Sequence, residues 1–168
     1  MDRRRWSVRR SVVLLALLPL LALAGCHQGF GTAPHGAPAT GAGQGTLTNI
    51  RTAAQPGFDR IVFDFTGPAP ASSAKYVPAS ALVGNDDKRV IVNGHSFLQV
   101  RFSDALTSNS TPVRRTPSLA EVRDMRQLES FEAVVTYGVG LTAKNGFRIF
   151  TLTGPNPNRN RVVVDVQR

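Results

Sequence analysis

Apolar and polar residues alternate along several short segments of the chain. Ile61, Phe63 and Phe65 fall on one side of such a segment, and the residues between them fall on the other. The same period recurs at 98–102 and at 162–166. A period of two residues is typical of β-strands with one buried face. Because turn-forming residues follow these segments at short intervals, we predict an all-β fold, a β-sandwich of about nine short strands.

The segment 89–102 carries the clearest turn signal. Asn93-Gly94 lies within it, and a type I′ turn needs positive φ at both central residues, which this pair adopts readily. We therefore predict a β-hairpin, followed by a polar loop over 104–117. Further strands are predicted at 75–77, 147–153 and 161–166.

A comparison of the chain with itself indicates a duplicated β unit, with chance matching of apolar positions as the alternative. A shift of 72 residues keeps the inward and outward positions in phase. The aligned pairs include Leu47 with Leu119, Ile50 with Val122, Arg51 with Arg123, Phe63 with Val135 and Phe65 with Tyr137.

The repeat bears on residues 118–126, whose pattern is ambiguous. Ser118 and Glu121 have the spacing of a helix capping box. The alignment with the earlier unit favours a strand instead, and we predict a strand.

The N-terminal residues have the layout of an export signal. Five arginines lie within residues 3–10, and an apolar run extends from Val12 to Ala24. This run is shorter than the roughly 20 residues of a membrane-spanning helix. The sequence Leu23-Ala24-Gly25-Cys26 resembles the lipobox of bacterial lipoproteins. The resemblance implies a signal peptide over 1–25, cleavage between Gly25 and Cys26, and a diacylglyceryl group on the Cys26 thiol.

The expected location is therefore the extracytoplasmic side of the cell membrane, with a lipid anchor. Two acyl chains give stable anchoring. The export route stays open between a twin-arginine signal at Arg9-Arg10 and an ordinary basic n-region, which we favour because no aromatic residue follows the pair.

Residues 26–45 are predicted to form a lipidated, flexible linker. Positions 27–45 contain six glycines, two prolines and no charged residue, a composition that cannot build a packed core. A flexible chain of this length spans roughly 25 Å. The folded domain is predicted at 46–168.

Charge narrows the class of partner. Loss of residues 1–25 would remove five arginines and one aspartate and lower the net charge from +9 to +5. A basic surface outside the cell suits anionic envelope polymers or lipid headgroups. Nucleic acid is not an expected partner, because no nucleic-acid-binding motif is present.

Few residues suit catalysis or metal binding. His95 is the only histidine of the predicted domain, which excludes a histidine-based zinc cage within one chain. His95, Ser96 and Asp104 could be combined into a hydrolytic triad, but no nucleophile elbow accompanies them. Gly138-x-Gly140 is interpreted as a strand bulge or bend. We predict no enzyme activity, no metal and no cofactor.

Four arginines are the candidate ligand contacts. Arg51 and Arg123 occupy equivalent positions of the repeat, and Arg101 and Arg148 lie on other predicted strands. Guanidinium groups bind carboxylates and phosphates in a bidentate manner. The alternative, a solvated or ion-paired arginine on a strand face, is commoner.

Four segments together resemble the AMIN-like domain of bacterial lipoproteins, namely 59–67, 131–141, 147–152 and 161–166. Related AMIN domains are β-sandwiches that target envelope enzymes, notably cell-wall amidases, by binding peptidoglycan. The resemblance implies the same fold and peptidoglycan or another cell-wall polymer as ligand. No catalytic domain follows in this sequence, so a non-catalytic module is expected. The alternative is an accessory module that docks an envelope enzyme or transporter through a strand edge.

Overall fold

The computed structural model describes residues 29–156 and 159–168, and within these ranges the chain is built from strands. A single 3₁₀ turn, Ala79–Ala81, interrupts them. No helix of the described part is long and apolar enough to cross a bilayer. The strands are β1 (His35–Ala37), β2 (Gly45–Gln55), β3 (Phe58–Thr66), β4 (Ala71–Val77), β5 (Ser96–Ser103), β6 (Ala105–Thr107), β7 (Arg114–Arg115), β8 (Val122–Phe131), β9 (Val134–Leu141), β10 (Phe147–Leu152) and β11 (Asn160–Gln167).

The strands form two facing sheets. One sheet has six strands in the order β1-β4-β5-β9-β8-β7, and the other has five in the order β10-β11-β3-β2-β6. Their inner faces meet in one apolar core. The ring of Phe63 in β3 lies 4.8 Å from that of Phe102 in β5 and 5.7 Å from that of Tyr137 in β9. The predicted all-β sandwich is confirmed, with eleven strands in the described ranges in place of about nine.

The predicted hairpin over 89–102 is wrong in its first half. Only β5 is a strand there, and Asn93 does not have positive φ, so the pair does not form a type I′ turn. The segment instead runs across β9, where the amide of His95 donates to the carbonyl of Leu141 at 2.8 Å. The loop predicted at 104–117 also contains two short strands, β6 and β7, and β6 pairs in parallel with β2.

Residues 78–95 cover the outer face of the six-stranded sheet. Leu82, Val92 and Leu128 form a small second core beneath this segment. Gly138 and Gly140 of β9 make the close approach possible: a Cβ atom on Gly140 would lie 1.9 Å from the carbonyl oxygen of Asn93. The interpretation of these glycines as a bulge is therefore corrected. The register shifts lie in the opposite strand, β8, between Val122 and Asp124 and between Gln127 and Glu129.

Each sheet contains one long hairpin, which agrees with the outline of the predicted repeat. The hairpin β2–β3 turns at 56–57, and β8–β9 turns at 132–133, so the turns are 76 positions apart in place of 72. Because the shift of 76 is even, the inward positions of β3 and β9 stay in phase. Those of β2 and β8 do not, because register shifts interrupt both strands. Residues 122–126 are strand, as the repeat favours, and 118–121 precede it.

From Gly29 onward the predicted flexible linker packs on the sandwich. Strand β1 pairs with β4, and Gly31 exchanges backbone hydrogen bonds of 3.1 and 2.8 Å with Phe147. The physical reason is the free edge of β4, which offers backbone groups to a segment of small residues. Small residues are needed here: a Cβ atom on Gly36 would lie 3.2 Å from the carbonyl oxygen of Ser72, which is a tight contact.

Candidate functional site

The outer face of the five-stranded sheet carries arginines on four adjacent strands. We call it the arginine face and define it by Arg51, Arg60, Arg148 and Arg161 with Asp64 and Asp165. The two-residue period of each strand places these side chains outward, opposite the buried valines, isoleucines and phenylalanines. Cross-strand register then arranges them in three rows. The rows are Asn49–Asp64–Arg161–Leu152, Arg51–Val62–Val163–Phe150, and Ala53–Arg60–Asp165–Arg148.

One end of the arginine face is a closed ionic cluster. Asp165 has no exposed side-chain surface, and it accepts hydrogen bonds from Arg60 at 2.7 and 2.9 Å and from Arg148 at 2.9 Å. The rings of Phe58 and Phe150 lie within cation–π range of both guanidinium groups. The hydrogen bonds to Asp165 raise the pKa of Arg60, with burial acting in the opposite direction. This cluster stabilises the fold, and Asp165 already neutralises its two cations in part.

The other end of the arginine face is more open. Arg51 donates to Asp64 at 2.6 and 2.7 Å, although 52% of its side chain stays exposed. This hydrogen bonding is the main reason that the pKa of Arg51 is raised. Arg161 faces Asp64 in register, yet it forms no ion pair with any residue of the described part. The side chain of Arg161 is therefore available to a ligand.

A groove of about 490 Å³ lies on this face between Arg51, Arg60, Arg115 and Arg161. Val62 and Val163 of the middle row line it together with Leu152. Arg115 reaches it from β7 by donating to the carbonyl of Ile50 at the β2 edge. A second groove of about 540 Å³ continues past Arg51 and Arg161 toward Asp64 and Arg159. Cationic walls and an apolar centre suit an anionic ligand with some aliphatic surface.

The four predicted arginines do not form one site. Arg51 and Arg148 both lie on the arginine face, but Arg148 belongs to the closed cluster. Arg101 lies on the outer side of the six-stranded sheet, 3.4 Å from Glu129. Arg123 lies in the irregular start of β8 and donates to the carbonyl of Leu119. Arg51 and Arg123, matched by the repeat, are thus on different sheets. Gly25 and Cys26 lie outside the described residues.

The residues considered for catalysis are far apart. His95 and Ser96 lie at the start of β5, and Asp104 follows its other end. Eight residues at a rise of about 3.3 Å separate these ends by roughly 26 Å, so no triad forms. Among the described residues, no group of three or more His, Cys, Asp or Glu side chains could hold a metal ion.

Three contributors to the groove were missed from the sequence. Arg60 and Arg161 follow the same alternation as Arg51, so a local signal existed for both. Arg115 lies in the predicted polar loop. Their grouping depends on strand order, which local patterns do not reveal. Arg60 and Asp165, for example, are 105 positions apart.

Comparison with protein families matches residues 45–168 to the AMIN-like domain. The chain belongs to the AMIN-like family. AMIN-like domains are generally non-catalytic binding modules. The match begins at the first residue of β2, so β1 and the segment from Gly29 lie before it. Searches among curated proteins and among solved structures found no match.

Proposed function

We propose that the protein is an extracytoplasmic lipoprotein, anchored to the cell membrane through Cys26, whose AMIN-like domain binds peptidoglycan or another cell-wall polymer. The groove of the arginine face is the observation that carries the ligand part of this proposal. The family suggests a peptidoglycan-binding or envelope-associated module. The lipobox-like sequence at 23–26 supports the anchor.

The chemistry of the groove fits such a polymer. Peptide stems of the cell wall present carboxylates and alanine methyl groups, and associated polymers present phosphates. Arg161, which lacks an ion pair with a described residue, and the half-exposed Arg51 can donate to either oxyanion. Val62 and Val163 supply an aliphatic centre in the middle row, next to Arg51 and between the rows of Arg161 and Arg60. A neutral glycan without acidic groups would offer no anion to Arg161.

A sedimentation assay tests the proposal. Residues 27–168 are mixed with purified cell-wall sacculi, either complete or stripped of anionic polymers, and the pelleted fraction is measured. Pelleting with stripped sacculi indicates peptidoglycan, and pelleting with complete sacculi alone indicates the anionic polymers. Absence from both pellets would contradict wall binding.

Arginine substitutions locate the binding surface. We expect the double variant Arg51→Ala/Arg161→Ala to weaken pelleting by about tenfold or more, because charge-assisted hydrogen bonds contribute about 1.5–3 kcal/mol each. The matched control is Arg101→Ala/Arg123→Ala on the other sheet, which removes the same charge and should bind normally. If the control variant lost binding instead, the groove would not be the site.

The free edge of β2 favours a second candidate, docking of an envelope protein by strand addition. Strand β6 pairs only with residues 45–47 of β2, and residues 108–115 cover the edge as far as Ile50. In the described part, the outward backbone groups of Thr52 and Ala54 have no hydrogen-bonding partner. Thr52→Pro should abolish co-purification of a crosslinked partner while leaving the β2–β3 ladder intact. Unchanged co-purification would exclude this edge.

A further inference from the structure

The N-terminal segment joins the sandwich at one end, which we call the anchor end. It is defined by the β2–β3 turn at 56–57, the loop 142–146 and the C-terminal Arg168. Phe30 packs there against Phe58, with ring centres 5.9 Å apart, and the guanidinium of Arg148 lies 4.6 Å from the centre of the Phe30 ring. The bridge between Gly31 and Phe147 fixes the segment in place.

Chain length brings the anchor end close to the predicted lipid. Three residues lead from Cys26 to Gly29, and an extended chain spans at most about 3.6 Å per residue. The first packed residue, Phe30, is one residue further on, so its Cα atom is held within roughly 14 Å of that of Cys26, not at the end of a long flexible linker. This step rests on the lipid anchor of the proposed function.

Exposed charges differ between the two ends. At the anchor end, Arg123 and Lys144 are exposed, and the half-exposed Arg168 is held by the buried Asp59 at 2.7 Å. The opposite end contains the β8–β9 turn and exposes Asp104 and Glu132, with Arg159 as its exposed cation. The exposed charged side chains at the end nearest to Cys26 are therefore cations, beside the partly buried Glu121, whereas those at the opposite end have both signs.

We propose that the anchor end lies on the membrane surface, with Phe30 at the headgroup level and Lys144 and Arg123 facing anionic headgroups. Aromatic side chains with a neighbouring cation are favoured at that depth, and cations are attracted by the negative surface potential of anionic lipids. The orientation also positions the groove. Arg161 lies four strand positions from Asp165 toward the opposite end, so the open part of the arginine face lies farther from the bilayer than the ionic cluster does.

The composition of the chain allows a single lipid attachment site and a single tryptophan to be used in a fluorescence experiment. Cys26 is the only cysteine, and Trp6, the only tryptophan, precedes it. Residues 26–168 are coupled through the Cys26 thiol to a maleimide lipid in vesicles of brominated phosphatidylcholine and phosphatidylglycerol. Phe30→Trp places a single tryptophan at the anchor end, and the matched control Phe131→Trp places one at the opposite end, where Phe131 is 63% exposed. Equal unfolding midpoints verify that both variants fold.

We expect the bromine atoms to quench most of the fluorescence of the Phe30→Trp variant and to leave that of the Phe131→Trp variant nearly unchanged. Equal quenching of the two variants, or stronger quenching of the Phe131→Trp variant, would overturn the proposal. Because the tether alone keeps position 30 near the bilayer, the charge reversals described next decide whether the anchor end lies on the membrane, and unchanged quenching in them would overturn the proposal as well. Adding Lys144→Glu and Arg123→Glu to Phe30→Trp should reduce its quenching, whereas adding Arg159→Glu should not. Unreduced quenching in vesicles of pure phosphatidylcholine would overturn the part played by anionic headgroups.

The chemical coupling separates this test from that of the anchor itself. Mass spectrometry of the protein isolated from membranes decides whether Cys26 carries a diacylglyceryl group. An unmodified Cys26 would overturn the anchor of the proposed function, while the vesicle experiment would still decide which end of the sandwich contacts the lipid.

Discussion

At the scale of single residues, ion pairing separates the arginines that hold the sandwich together from those available to a ligand. Arg60 and Arg148 share the fully buried carboxylate of Asp165, and Arg168 holds that of Asp59 in the same way. Removing one partner of such a pair leaves a buried charge uncompensated, which is strongly destabilising. Arg161 and the exposed Arg51 do not pair with a fully buried carboxylate. Binding and stability can therefore be changed separately on one sheet face.

The β8–β9 turn contains a local strain that one substitution should relieve. Glu132 and Ala133 both have positive φ, at 47° and 59°, as a two-residue type I′ turn requires. A left-handed conformation costs a residue with a Cβ atom about 1–2 kcal/mol, and glycine escapes this cost. Ala133→Gly should therefore raise the free energy of unfolding by about 1 kcal/mol in urea titrations.

The control for this prediction is Ala143→Gly, the same change in an exposed loop where φ is not positive. It should leave stability unchanged or lower it, because glycine adds freedom to the unfolded chain. A stability gain in both variants would point to a cause other than backbone strain.

At the scale of elements, two glycines of β9 determine how the segment 78–95 packs on the sheet. Gly140→Ala should lower the free energy of unfolding by about 1–3 kcal/mol or more, because its Cβ would collide with the backbone at Asn93. Gly29→Ala is the control, since a Cβ there meets no atom within 4 Å. Urea unfolding of both variants measures the difference, and equal midpoints would contradict the close approach.

The elements that the sequence predicts well are those whose signal is local. The inward faces of β3, β5 and β11 follow directly from a period of two, and all their apolar inward residues are buried. Asn93-Gly94 shows the limit of such signals, because contacts with Leu141 and Gly140 override its turn preference. The composition of residues 29–45 predicted a flexible linker and was misleading for a similar reason. Its small residues fit closely beside the edge of β4, which only the tertiary fold creates.

The candidate site was less predictable than the fold. Alternation placed Arg51 outward correctly, but the groove requires β2, β3 and β11 to be neighbours and β7 to approach from the other sheet. Strand order depends on pairing over long sequence separations, which a single sequence does not encode in any local pattern. The repeat, read as a guide to function, paired Arg51 with Arg123 although the two hairpins belong to different sheets.

At the scale of the whole molecule, the two tyrosines link the packing of the sheets to pH. The Tyr137 hydroxyl donates to the carbonyl of Pro112 at 2.7 Å, and that of Tyr76 donates to Asn145 at 2.6 Å. Burial raises the pKa of Tyr76 to about 12. Burial also raises the pKa of Tyr137 well above its usual value.

Both shifts predict a loss of stability in alkali. A phenol whose folded-state pKa lies above its unfolded value of about 10 binds its proton more tightly in the folded state. Its contribution is complete below a pH of about 10 and is lost as the pH rises through about 12. The urea midpoint of residues 27–168 should therefore fall over that interval. Tyr76→Phe, which removes one of the two titrations, should flatten the decline even if its midpoint at neutral pH is lower.

Phenolate absorbance in the near ultraviolet provides the direct measurement, because residues 27–168 contain both tyrosines and no tryptophan. Titration of both tyrosines at a pH of about 10 in the folded protein, the value of a free phenol, would contradict their burial between and beside the sheets.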